Sequence, residues 1–69
     1  MKLSARNQLT GTVSSVTRGP VSALVKVDVG GGQHITATLT TEAADDLKLE
    51  AGMPVTAVFK ASSVIIGAD

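Results

Sequence analysis

The sequence predicts an all-β domain: a small five-stranded barrel with one short helix between its third and fourth strands. Three observations carry that prediction. The dominant hydrophobic period is two, the apolar runs are short and punctuated by Gly, Pro and Ser, and one acidic, alanine-containing stretch breaks the alternation with helix signals. A chain of 69 residues makes one domain, residues 1–69.

Each element has its own justification. Leu9, Gly11 and Val13 keep one parity, but the next apolar residue is Val16, so the first strand slips at Ser14–Ser15, as a β-bulge or sharp bend would make it. The "TRGP" stretch then gives a turn. Val21, Ala23, Val25, Val27 and Val29 alternate with Ser22, Leu24, Lys26 and Asp28, the pattern of a half-buried strand. "GGGQ" breaks that run, because Gly30 to Gly32 adopt positive φ without a Cβ clash, and a hairpin follows. The returning strand alternates Ile35, Ala37 and Leu39 with Thr36, Thr38 and Thr40.

In "TTEAADDLKLEAGMP", Thr40 or Thr41 can N-cap a helix, Glu42, Asp45 and Asp46 suit its positive end, and Ala43, Ala44 and Leu47 give it an apolar side. Gly52 and Pro54 are its expected stop. Val55, Ala57 and Phe59 alternate as a fourth strand, and Val64–Ile65–Ile66 after "KASS" is the expected fifth. Five short strands with a helix between the third and fourth is the arrangement of an OB-like barrel.

Composition narrows the function classes. With 43% hydrophobic and 17% charged residues the chain is apolar for its size, and a domain this small has difficulty burying a sufficient core alone. It contains no cysteine, so disulfides and thiolate sites are excluded, and self-association is the remaining supplement to the core. No apolar run approaches the roughly 20 residues that span a bilayer, and no secretory leader pattern is present; a cytoplasmic protein is the expectation. Net charge is zero but unevenly spread: residues 1–27 carry Lys2, Arg6, Arg18 and Lys26 and no acid. Anions are drawn to such a segment.

"SARNQLTG" near the start, "GGGQ" in the hairpin and "VTAVFKASSVIIG" near the end closely resemble the molbindins, the small Mop-type molybdenum-binding proteins with a TOBE fold. The resemblance covers the whole chain, and the pairing of "SARNQ" with a distant "KAS" is more specific than either motif alone. It implies an OB-like domain that assembles as a homo-hexamer, a trimer of dimers, and binds molybdate or tungstate between subunits for molybdenum storage or homeostasis.

The residue chemistry agrees with that implication. Molybdate is a tetrahedral dianion whose oxygens only accept hydrogen bonds, so its site needs donors on several sides and about two positive charges. Arg6 offers a planar fork, Lys60 a compact charge, and Ser4 and Ser62 hydroxyls, while backbone N–H groups around Ala5 and Ala61 complete the shell. This holds the anion without protein–metal bonds. By resemblance alone, Ser4, Arg6, Lys60 and Ala61 match anion contacts from one subunit, and Thr40 matches a hydroxyl reaching across from the neighbour. Some relatives carry a serine three residues beyond that threonine; this chain has Ala43 there, so the resemblance implies a donor that is either missing or replaced by Thr41. Family hexamers also hold anions at a second class of site, for which the "TRGPV" turn is the one candidate. Asn7 and Gln8 read as structural amides that cap a turn or pair across strands.

Other functions fit less well. Single-strand nucleic-acid binding uses stacking aromatics and a basic groove, and this chain has one Phe, no Trp or Tyr, and no net charge. Catalysis lacks a nucleophile–base pair, since His34 has no motif partner and no serine sits in an elbow sequence. An oxyanion-sensing regulatory domain is the closer alternative. The chain begins with methionine and stops just past its last expected strand, which favours a free-standing binding protein.

Overall fold

The computed structural model describes residues 1–69 as four strands, one α-helix and one 3-10 turn. In chain order these are β1 (Asn7–Arg18), β2 (Ser22–Gly30), β3 (Gln33–Thr40), α1 (Thr41–Asp46), β4 (Pro54–Phe59) and the turn Ala61–Ser63. All neighbouring strands are antiparallel, in the order β3-β2-β1-β4. The long strand β1 serves two partners. Its first half, Asn7 to Thr12, pairs with β4, and its second half, from Thr12 to Arg18, pairs with β2.

The expected slip at Ser14–Ser15 is a β-bulge: the β1–β2 register shifts between Val13 and Ser15, and the Ser14 hydroxyl donates to the Lys26 carbonyl at 3.0 Å. Val13, before the bulge, and Val16, after it, can therefore both face the core despite the change of parity. Gly11 sits where β1 passes closest to β2, and a Cβ there would run into the Asp28 carbonyl and the Val27 side chain. The β2–β3 hairpin closes through Gly31 and Gly32, at φ 63° and 77°, inside the Gly30–Gln33 pair. Positive φ at both central positions gives a turn whose twist matches that of the strands. Asp28 Oδ1 accepts from the Gly30 N–H at 2.8 Å and fixes its entry.

Helix α1 starts as expected and stops earlier. Thr40 is the N-cap, and its hydroxyl oxygen accepts from the Ala43 N–H at 3.0 Å. The helix ends at Asp46, with Leu47 as its C-cap, before Gly52, because Lys48 turns the chain into the left-handed region at φ 54°. Lys48 N–H then bonds the Asp45 carbonyl and Leu49 N–H the Ala44 carbonyl, both at 3.0 Å, the paired bonds of a Schellman stop. Only Glu42 lies in the first turn. Asp45 and Asp46 fall at the wrong end for the helix dipole; Asp45 instead forms the chain's ion pair with Arg18, at 2.9 Å.

The fifth strand is absent from the fold of the single chain. After the 3-10 turn, Val64–Ile65–Ile66 pairs with nothing, and Ile65 and Ile66 are 94% and 84% exposed. An extended apolar run becomes a strand only beside an unsatisfied edge. The chain's two edges, on β3 and β4, face each other across an open gap lined by Ile35, Ala37, Ala57 and Phe59, and the segment does not fold back into it. The curled sheet is consequently not a closed five-stranded barrel. Its concave face holds a core of six buried residues, Val13, Ala23, Val25, Val27, Ala44 and Leu49.

Candidate anion-binding site

The β1–β4 ladder positions the site. Asn7 pairs with Phe59 at its outer end, so the chain entering β1 and the chain leaving β4 run side by side. The ladder ends at that pair, and Ser4–Arg6 and Lys60–Ser62 are the segments just outside it, the second entering the 3-10 turn Ala61–Ser63. The two segments, Ser-Ala-Arg and Lys-Ala-Ser, are mirror patterns in sequence, each with one cation, one alanine and one hydroxyl. These six residues line one open depression of about 360 Å³. Six of the seven residues expected to contact the anion thus come together.

The electrostatics are those of an anion site. Two cations converge with no carboxylate between them, because the chain's ion pair uses Arg18 and Asp45 at another corner of the fold. The 3-10 turn starts at Ala61 with Lys60 at its N-cap, and the Ser63 N–H closes it by donating to the Lys60 carbonyl at 2.9 Å. Gln8 braces the opposite segment: its Nε2 donates to the Ala5 carbonyl at 3.0 Å. The expectation of a structural amide at Gln8 is met by this local bond. Ala5 is half-buried, whereas Ser4, Arg6, Lys60 and Ser62 are exposed, so one chain supplies a floor and no lid.

Thr40 is not brought to this depression. It pairs with Ser22 beside the far end of β1, and twelve residues at about 3.3 Å each separate the two ends of that strand. Its hydroxyl oxygen receives the Ala43 N–H, which leaves the hydroxyl proton free to donate outward. Thr41 has no such freedom, since its hydroxyl donates to the Gly19 carbonyl at 2.7 Å. The "TRGPV" turn is likewise engaged: Arg18 donates to Asp45 and, through Nη2, to the Leu49 carbonyl at 2.7 Å. That arginine braces α1 and the following loop against the end of β1.

Residues 3–66 match the TOBE domain family. A probable molybdenum-pterin-binding protein of Haemophilus influenzae is 45% identical over 69 residues, the full length of both chains. The structure of a molybdate-binding protein from Sporomusa ovata superposes with a TM-score of 0.90 at 35% identity, covering 99% of this chain and 100% of the other. A molybdate-bound structure of the cytoplasmic molybdate-binding protein ModG gives a TM-score of 0.94 at 46% identity, with all of this chain matching 49% of that one. The resemblance drawn from "SARNQ" and "KAS" is therefore a relationship along the whole chain: it belongs to the TOBE domain family, among its Mop-type molybdenum-binding members.

Proposed function

We propose that this protein binds molybdate, with tungstate as its analogue, between subunits of a homo-oligomer, and that it serves molybdenum storage and homeostasis in the cytoplasm. The observation that carries the reading is the convergence of Arg6 and Lys60, flanked by Ser4 and Ser62, without a carboxylate partner. An array of donors with two unneutralised cations matches a tetrahedral dianion that only accepts. It binds rather than reacts, since neither Ser4 nor Ser62 has a histidine or carboxylate beside it in the depression to activate its hydroxyl.

Magnitudes decide why a second copy is needed. At about 4 Å a unit charge pair is worth about 1 kcal/mol in bulk water and about 4 kcal/mol at an effective dielectric near 20. The exposed floor of one chain sits near the first value, and a lid that excludes water moves it towards the second. Thr40 of another copy, with its outward hydroxyl proton, supplies a donor for that lid. The exposed Ile65–Ile66 arm and the open gap between β3 and β4 support self-association, because each provides what the other lacks when two copies meet. The family's hexamer, a trimer of dimers, is the assembly we assign.

Calorimetric titration with molybdate, tungstate, sulfate and phosphate, with the mass of the complex recorded, tests this. Tight binding of the first two to an oligomer is expected. Sulfate is smaller and leaves donors unpaired, and phosphate near neutrality tends to carry a proton that an all-donor site cannot accept. Equal affinity for sulfate, or tight binding by a monomer, overturns the reading.

A further inference from the structure

We infer that Gln8 is a positioning residue of the anion site, acting through the Ala5–Arg6 peptide; the inference rests on the oxyanion reading above. A carbonyl oxygen in a site for a dianion is repulsive, and each of Ser4, Ala5 and Arg6, which line the depression, carries one. Gln8 captures one of them. Its Nε2 donates to the Ala5 carbonyl at 3.0 Å, and Gln8 itself is not among the residues lining the depression.

The consequence follows from peptide geometry. A trans peptide is planar, and its N–H points opposite to its C=O. Holding the Ala5 oxygen towards Gln8 therefore fixes the Arg6 N–H on the other side of the same plane, away from Gln8, and both residues of that peptide line the depression. One side-chain amide removes an acceptor from the floor and commits a backbone donor to it. Strand β1 makes this reliable: Gln8 is held in register with Val58 of β4, so the amide springs from a paired backbone while the segment it braces lies just outside the ladder. Arg6 gains from the same contact, because its Cα is anchored between Ala5 and the paired Asn7.

The test uses the assembled protein and molybdate as the probe, with wild type, Gln8→Met and Gln8→Ala compared. Met keeps about the length of Gln and removes its amide, and with it the bond to the Ala5 carbonyl. Both variants should bind molybdate about five- to tenfold more weakly, the worth of one hydrogen bond that orders two further donors. Their melting temperature and oligomeric mass without anion should match those of the wild type. In 15N-labelled wild type the Arg6 amide proton should move downfield on adding molybdate, and in Gln8→Met that movement should shrink. Binding by both variants within about twofold of wild type, or an Arg6 amide that does not respond in a molybdate-binding wild type, overturns the inference. So does weakened binding that tracks a lower melting temperature or mass without anion, which marks Gln8 as structural only. A wild type that binds no molybdate overturns the oxyanion reading, and this inference with it.

Discussion

Arg6 and Lys60 line one depression at the outer end of a strand pair, with Ser4 and Ser62 in the same lining and no acid among it. In the empty site that juxtaposition is unfavourable, so the residues make sense as halves of a ligand shell. Arg6→Ala should lower molybdate affinity by about a hundredfold or more, since it removes a charge and several directed donors. Arg6→Lys should recover part of that loss, the remainder measuring the planar fork apart from charge. Calorimetry on both variants checks it. The suitable control is Lys26→Ala, an exposed cation of β2 outside the depression. Arg18→Ala is unsuitable, because Arg18 holds Asp45 and the Leu49 carbonyl, and its loss loosens α1.

Among the elements, α1 and its flanks separate what the residues disclose from what they conceal. Its existence was legible from Thr40, the alanines and the acids, and so was the hydroxyl cap. Its end was not, because the stop is made by Lys48, a residue with no turn signature, held at φ 54°. Left-handed backbone costs a residue with a Cβ about 1–2 kcal/mol, partly offset in the unfolded chain when glycine replaces it. Lys48→Gly should therefore stabilise the fold by about 0.5–1 kcal/mol in denaturant unfolding and leave molybdate affinity unchanged. The alternation in β2 and β3, the glycine turn and the parity slip at Ser14 all translated directly, since each is a local steric property. The pairing of Asp45 with Arg18 and the target of Gln8 depend on which elements meet in space, and no spacing in the sequence encodes that.

At the scale of the whole molecule, the mismatch over the fifth strand is informative. The Val64–Ile66 run has the composition of a strand, and the residues alone gave no sign that its own chain leaves it unpaired. A chain that buries only six residues and exposes Ile65 and Ile66 resembles part of a larger core. Deleting residues 64–69 should therefore reduce the oligomer to smaller species by light scattering and lower the melting temperature, with the opening "SARNQ" segment intact. Unchanged mass after that deletion would remove the arm from the assembly. The same logic separates the legible half of the site from the rest. "SAR" and "KAS" flank one strand pair of a single chain, whereas Thr40 lies at the far end of β1, so in the proposed function it reaches the site only from a neighbour.

The most direct test of that arrangement is the molybdenum anomalous signal in crystals grown with molybdate. The account predicts a peak in the depression formed by Ser4–Arg6 and Lys60–Ser62 of one copy, with Thr40 of a second copy directed at it. A peak elsewhere on the protein, with that depression empty at saturating molybdate, would contradict it.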